Sequence, residues 1–455
     1  MYAARRAKGP RADDLSGGEP HDGGMNRYTA SNPSRRRRVA YAAASVTAAG
    51  LLLAATACSS DDDAATPATA PAPVESAPAP ESSPPPTTPP PAPTTPPPPP
   101  TTAAPTTNAP PTTTSPADEA RQAMLSGILE SNRAAGEFVG ASIAVQEPDG
   151  SITEVTSGTQ TVDPASAPVD LDVPWNVGSA TKVFVAVVAL QLADEGRLDL
   201  DAPIVGFFPD LPGADRITPR QLLQHTTGLN EYLNDPAVRS EATRDWTPAE
   251  LIAVAEAAGR VGEPGGPFQY SNTNYIVLGE IIEQVTGNPW GDEVVTRIAE
   301  PLGMTSTREL TPEDRPGGYQ VIDGTLVDWT HGAHPSIGGA AGGLQSTVRD
   351  LLRFANALRD GTLLSPESQA AMQTFVPGED LSQFGIDHRY GLGLERHATG
   401  AVTAIGHMGT GEAQSAYVGY DAEHGTAVAV ATNTAVPGPQ AFMAFEALIA
   451  VSQAG

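Results

Sequence analysis

Lysine is nearly missing from this chain: 455 residues hold only Lys8 and Lys182, while arginine occurs 24 times. Where arginine supplies ordinary surface charge, one lysine retained in an apolar stretch suggests a group that must give up its proton, which guanidinium does not do in a protein. Cysteine occurs once, at Cys58, which excludes an intrachain disulfide. Positive charge is scarce as well, 26 basic against 53 acidic residues. Residues 1–57 carry nine of the basic and four of the acidic groups, so a chain without them has a formal charge of −32. That balance excludes a nucleic-acid partner and favours a soluble, extracellular acidic domain.

The first quarter of the chain cannot build a core. Arg35 to Arg38 form a basic run, Val39 to Ala57 is apolar or small throughout, and Ala55-Thr56-Ala57-Cys58 precedes Ser59-Ser60-Asp61-Asp62-Asp63. This order predicts a signal peptide with a lipoprotein cleavage site over residues 1–58, lipidated at Cys58; a transmembrane helix is the alternative. A Pro-, Thr- and Ala-rich tract follows, read as a disordered linker over 59–117. Polyproline-like chain rises about 3.1 Å per residue, so the linker can hold a domain on the order of 150 Å from its anchor. The expected location is therefore the extracytoplasmic face of the membrane, anchored by lipid and reaching into the cell wall.

Residues 118–455 read as one folded domain. Its centre is Trp175-Asn176-Val177-Gly178-Ser179-Ala180-Thr181-Lys182-Val183-Phe184, where a serine and a lysine stand three residues apart at the start of an apolar helix. One helical turn brings both side chains to one face. Buried against apolar neighbours, an amine loses affinity for its proton and can take one from a serine hydroxyl. Val183 to Ala193 is apolar almost all round and stops at Glu195-Gly196, which predicts a buried helix.

The other segments fall around this helix. Helical spacing covers Ala117 to Ala134; Ala141–Val145 and Ile152–Thr156 flank Pro148-Asp149-Gly150-Ser151 as a β-hairpin. Thr218-Pro219 opens a short helix that ends at His225-Thr226-Thr227-Gly228, and His225 reads as a brace for a nearby loop. Tyr270 and Asn272 lie on the loop before a helix over Ile276 to Val285. Gly338 to Gly343 reads as a tight turn, since no Gly-Lys-Ser/Thr follows it. His331 and His334 have a spacing metals tolerate but lack a third ligand, so no metal or other cofactor is expected. Strands are expected at Tyr390–Leu394, Val402–Ile405, Gln414–Tyr420 and Thr426–Thr432, and a final helix from Pro439 to Val451. The fold class is α/β: an antiparallel sheet built from N- and C-terminal segments, flanked by helices, with a mainly helical region inserted between them.

Ser179-x-x-Lys182, Tyr270-x-Asn272 and His407-x-Gly409, in that order, resemble the three motifs of the serine β-lactamase and penicillin-binding superfamily, in the branch of class C β-lactamases, D-alanyl-D-alanine carboxypeptidases and related esterases. The resemblance spans nearly all of 120–453. It implies that Ser179 is acylated, that Lys182 and Tyr270 carry the proton, and that Asn272 and His407-x-Gly409 bind substrate or orient Lys182. It further implies an oxyanion hole from the N–H groups of Ser179 and Thr410. The physical reading adds a Tyr270 phenol lowered in pKa by Lys182 and a protonated His407. A carboxypeptidase on peptidoglycan stem peptides follows from the location; an esterase, a β-lactamase or a penicillin-binding module without turnover are the alternatives. The partner is thus a peptidoglycan peptide or a small acyl ester or amide. Against the carboxypeptidase stand Met408 in place of a hydroxyl, and Glu395, which aligns where an arginine is expected, with Arg396 turned to the opposite face.

Overall fold

The computed structural model of the protein describes residues 115–313, 317–436 and 438–454. The leader over 1–58 with Cys58, and the linker as far as residue 114, lie outside the described residues. The first helix, α1 (Pro116–Ala135), begins two residues ahead of the expected domain start at 118, because Pro116 needs no N–H in a first turn and Asp118 and Glu119 complement the helix dipole there.

Eight strands make the main sheet: β1 (Gly140–Gln146), β2 (Ile152–Gly158), β3 (Val376–Pro377), β4 (Asp387–Tyr390), β5 (Glu395–Ala398), β6 (Thr403–Thr410), β7 (Ser415–Asp421) and β8 (Ala427–Thr432). Their spatial order is β2-β1-β8-β7-β6-β5-β4-β3, with every neighbouring pair antiparallel. The first strand therefore lies against the last, Ala141 opposite Thr432 through Gln146 opposite Ala427, and the ends of the domain close one sheet around the inserted middle.

Alternation along these strands feeds two cores. Ala144, Val418 and Ala429 face a large core shared with α2 (Thr181–Asp194), α3 (Thr273–Thr286) and α4 (Val348–Asp360); Ile143, Val145, Tyr417, Val428 and Val430 face α1 and α5 (Pro439–Ala454). α2 has no polar stripe: every residue from Thr181 to Leu190 is buried, which places its N-terminus in the middle of the domain. Each such Val or Leu contributes roughly 1.5–3 kcal/mol of burial, enough to hold even a lysine in this helix.

Two expectations shift. The strand expected over Tyr390–Leu394 ends at Tyr390, and Gly391–Leu394 is a turn closed by Gly391 N–H to the Leu394 carbonyl at 2.7 Å, with Gly393 at φ 77°. Within the segment expected as a tight turn, Gly339–Gly342 forms one helical turn leading into a short strand, Leu344–Ser346, that pairs with Trp175–Asn176. Among the described residues no helix is long and apolar enough to cross a membrane, and no group of three His, Cys, Asp or Glu side chains could hold a metal; His331 and His334 gather no third ligand.

Candidate active site

Ser179 lies in a single 3-10 turn, Gly178–Ala180, immediately before α2. This turn meets β6 backbone to backbone. Gly178 has φ 53°, and a Cβ there would overlap Thr410 and the Gly411 nitrogen; a Cβ on Gly409 would overlap the Val177 carbonyl. Glycine at both positions is thus what allows the first and third motifs to touch, placing the nucleophile candidate beside Thr410.

Lys182, one turn into α2, is wholly buried. Its Nζ lies 2.7 Å from Asn272 Oδ1, 2.7 Å from the Ala341 carbonyl and 3.1 Å from Ser179 Oγ. The two closer partners can only accept, whereas the hydroxyl can also donate. A neutral amine with two N–H bonds and one lone pair fits this set: its hydrogens go to the two carbonyl oxygens and its lone pair faces the Ser179 hydroxyl. Burial pushes the amine down to about 7, against the opposing pull of Glu231 and Glu395. At neutral pH a large share of Lys182 is therefore ready to take a proton.

Tyr270 and Asn272 reach the same point from the loop before α3. The Tyr270 ring packs against His225, tilted by 30° at 4.3 Å between centroids, and Lys182 Nζ lies 4.9 Å from the Tyr270 ring centre. Burial raises the phenol well above its usual range, an effect that Glu395 and Glu231 strengthen and hydrogen bonding with Ser179 opposes. The lowered phenol expected from the sequence is thus corrected: Tyr270 keeps its proton. Asn272 occupies the N-cap position of α3 but does not cap it. Its side chain spans two partners instead, accepting from Lys182 and donating through Nδ2 to Glu231 Oε2 at 2.9 Å. Glu231 also accepts the Asn272 backbone N–H at 2.7 Å and the Leu233 N–H at 3.0 Å, and burial raises its pKa despite these bonds. Sequence reasoning missed Glu231; the only cue is its place just after the His225–Leu229 turn.

His407 and Gly409 face the α2 side of β6. Burial holds His407 down at about 3, with the Lys182 charge acting the same way, so the protonated His407 expected from the sequence is also corrected: the ring is neutral. Its Nδ1 lies 2.6 Å from the Met408 carbonyl and its Nε2 2.9 Å from the Tyr390 hydroxyl. Register accounts for the backbone beside it. Gly411 N–H bonds the Gln414 carbonyl at 2.8 Å, so Thr410 and Ser415 form the next, non-hydrogen-bonded pair, and the N–H groups of Thr410 and Met408 both point away from β7. On that side Met408 N–H meets Glu395 Oε2 at 2.9 Å. β5 reaches only as far as the Glu395–Gly406 pair, which leaves Thr410 N–H beyond its end, on the Ser179 side.

Ser179, Asn272 and Thr410 open on a cleft lined also by Trp329, Glu412 and Gln414 among others, whereas Lys182, Tyr270, His407 and Gly409 lie behind its lining. Glu412 lies on the four-residue connection between β6 and β7; among the described residues the lining includes His334 but neither arginine nor lysine. Glu395 does not line the cleft. It is buried and pushed up to about 8 by desolvation, so it is protonated at pH 7 and cannot repel a substrate as expected had it faced the cleft. Arg396 points outward to Asp387 at 2.9 Å, on the opposite face as expected.

A family model described as Beta-lactamase matches residues 125–452. The putative penicillin-binding protein PbpX of Bacillus subtilis (strain 168) is 32% identical over 215 residues, 46% of this chain and 52% of that protein. Esterase EstB of Burkholderia gladioli is 29% identical over 247 residues, 45% of this chain and 62% of its own length. The chain thus spans little more than half the length of these curated relatives. Among solved structures, a D-stereospecific amidohydrolase from Streptomyces sp. superposes with a TM-score of 0.63 at 32% identity, covering 72% of this chain and 98% of that one.

Proposed function

The chain belongs to the beta-lactamase family of serine hydrolases, and from that premise we propose that it cleaves small amides or esters through an acyl-enzyme on Ser179. The observation that carries this is the environment of Lys182, an amine whose hydrogens are occupied by Asn272 and Ala341 and whose lone pair faces Ser179. In this reading Lys182 takes the hydroxyl proton as Ser179 Oγ bonds to the substrate carbonyl carbon. The charge that develops on the carbonyl oxygen is met by the N–H groups of Ser179 and Thr410. Tyr270, a phenol at working pH, gives its proton to the leaving nitrogen or oxygen as that bond breaks and regains one from Lys182. Water then attacks the serine ester with the same groups running in reverse, releasing the acid and free Ser179. Asn272 holds Lys182 in place and is itself held by Glu231.

Substrate class follows from the cleft. A D-alanyl-D-alanine carboxypeptidase must hold a terminal carboxylate, and a lining that has Glu412 and, among the described residues, neither arginine nor lysine is poorly suited to that. The cleft favours an acyl amide or ester without a free carboxylate, in keeping with the amidohydrolase and esterase among its relatives. The carboxypeptidase-like action on stem peptides rests on location: a lipid on Cys58 and a long linker would place the domain in the cell wall. Intact-mass detection of an acyl adduct on Ser179 during turnover of an activated ester tests the chemistry. Absence of the adduct, or turnover surviving Ser179→Ala, would overturn it, and a fluorescent penicillin that stays bound would mark a module without turnover.

A further inference from the structure

The proposed chemistry leaves unused a buried chain of polar groups behind Tyr270. His225 Nδ1 receives the Ser271 N–H at 3.2 Å and the Asn274 Nδ2 at 3.1 Å. His225 Nε2 lies 3.2 Å from the Tyr390 hydroxyl, which lies 2.9 Å from His407 Nε2; His407 Nδ1 lies 2.6 Å from the Met408 carbonyl. All three side chains are buried. The two ends of this chain fix its direction. A backbone N–H can only donate and a carbonyl can only accept, so His225 carries its hydrogen on Nε2, His407 carries its hydrogen on Nδ1, and the Tyr390 hydroxyl accepts from the first and donates to the second.

We propose that Tyr390 is a positioning residue for the reaction: by linking His225 to His407 it locks the two rings in opposite neutral tautomers and couples the loop that bears Tyr270 to the strand that presents the Thr410 N–H. His225 holds the loop at several points, through its ring packed at a tilt against Tyr270, through Ser271 N–H, and through its carbonyl, which accepts Gln269 N–H at 2.8 Å. At the other end, the Met408 carbonyl is bonded to His407 and the Met408 N–H to Glu395, two residues before Thr410. The loop that bears the proton donor Tyr270 and the oxyanion strand come from segments about 140 residues apart, and Tyr390 is the hydroxyl between them. A proton added at His407 Nε2 would set two N–H donors against the Tyr390 oxygen and strip its own hydrogen of its acceptor in a buried space, where an unmade hydrogen bond is costly. The groups around His407 are Lys182 from α2, His388 and Tyr390 from β4, and Glu395 and His397 from β5; those around His225 are Lys182, His407, Tyr270, Tyr275 and Tyr390.

Imidazole nitrogen NMR on the full chain, with Tyr390→Phe alongside, tests this. In the wild type His407 is expected as the Nδ1–H tautomer and His225 as the Nε2–H tautomer, both unchanged from pH 8 to about pH 5. In Tyr390→Phe, the His407 ring is expected to lose its single tautomer, and kcat for acylation to fall about tenfold with KM within about twofold. A wild-type His407 bearing its hydrogen on Nε2, or titrating in that pH range, overturns the proposal. So does a variant that loses rate with tautomers intact, or keeps its rate with tautomers scrambled. If Tyr390→Phe does not fold, the wild-type spectrum alone decides. The rate readout rests on the acyl-enzyme reading and the tautomers do not, so an enzyme that forms no acyl adduct sinks that reading while the spectrum still judges the chain.

Discussion

Lys182 Nζ lies closer to Asn272 Oδ1, at 2.7 Å, than to the Ser179 hydroxyl, at 3.1 Å. The amide thus takes a hydrogen from the amine and leaves its lone pair for the serine. Arginine at this position would keep the charge, lose the lone pair and need more room than a fully buried site gives. Lys182→Arg and Lys182→Ala are therefore both expected to lower acylation by on the order of 10²–10⁴-fold, the usual worth of a positioned base. Stopped-flow acylation with an activated ester checks this; an arginine variant near wild-type rate would make Lys182 an electrostatic residue only.

With burial setting Lys182 at about 7, kcat/KM should fall below roughly pH 7 as the amine is protonated and level off above it. His407, at about 3, and Tyr270, raised well above its usual range, titrate outside this window. Glu395, at about 8, is the competing group. Glu395→Gln can still accept the Met408 N–H, and because Glu395 is already protonated around pH 7 the variant changes little of the charge near Lys182, so the limb is expected to persist at nearly the same pH. A limb that disappears in Glu395→Gln would assign it to the carboxyl.

Much of this was legible in the sequence, for reasons that differ from element to element. α2 could be read because an unbroken apolar run has few other fates, and β7 and β8 because short apolar runs bounded by turn residues read as strands buried on both faces. Lys182, one of only two lysines, stands out by composition as the candidate base. Glu231 was not legible: its bonds to Asn272 and its effect on Lys182 exist only once two loops some 40 residues apart meet. The charge states of His407 and Glu395 were misjudged for a related reason, since desolvation acts only after folding and outweighs the partners a motif suggests.

Glu231→Gln tests that unseen contact. Glu231 raises the Lys182 pKa, and a glutamine keeps at most part of its bonding to Asn272. The acid limb of kcat/KM is expected to move down by about half a unit or more, with a loss of about tenfold in plateau kcat as Asn272 loosens. An unchanged limb would mean that Glu231 is only a loop anchor.

The address is tested by Cys58→Ala. If one lipid on Cys58 holds the chain, the variant should leave the membrane fraction or stay unprocessed while ester turnover persists. Unchanged membrane retention with residues 39–57 still attached, read by fractionation and mass spectrometry, would favour a transmembrane helix.

Substrate choice is where the structure changes the responsible residue. Like-charge repulsion of a substrate carboxylate had pointed to Glu395, but that side chain is buried and protonated at pH 7, whereas Glu412 lines the cleft on the turn after Thr410. Burial raises the Glu412 carboxyl above its usual range too, but a substrate carboxylate bound near its ionised form meets a like charge, and Met408 supplies no hydroxyl donor in return. A partly screened repulsion of this kind costs about 1.4 kcal/mol or more, or at least tenfold. A small ester or terminally amidated D-alanyl-D-alanine peptide is therefore expected to exceed its free-acid counterpart by tenfold or more in kcat/KM. Glu412→Gln should narrow that ratio severalfold by raising turnover of the acid alone, while Glu395→Gln should leave it unchanged. Kinetics on the matched peptides decide the matter: a wild-type preference for the free acid would show that the cleft captures a carboxylate after all, and would return the enzyme to the carboxypeptidases.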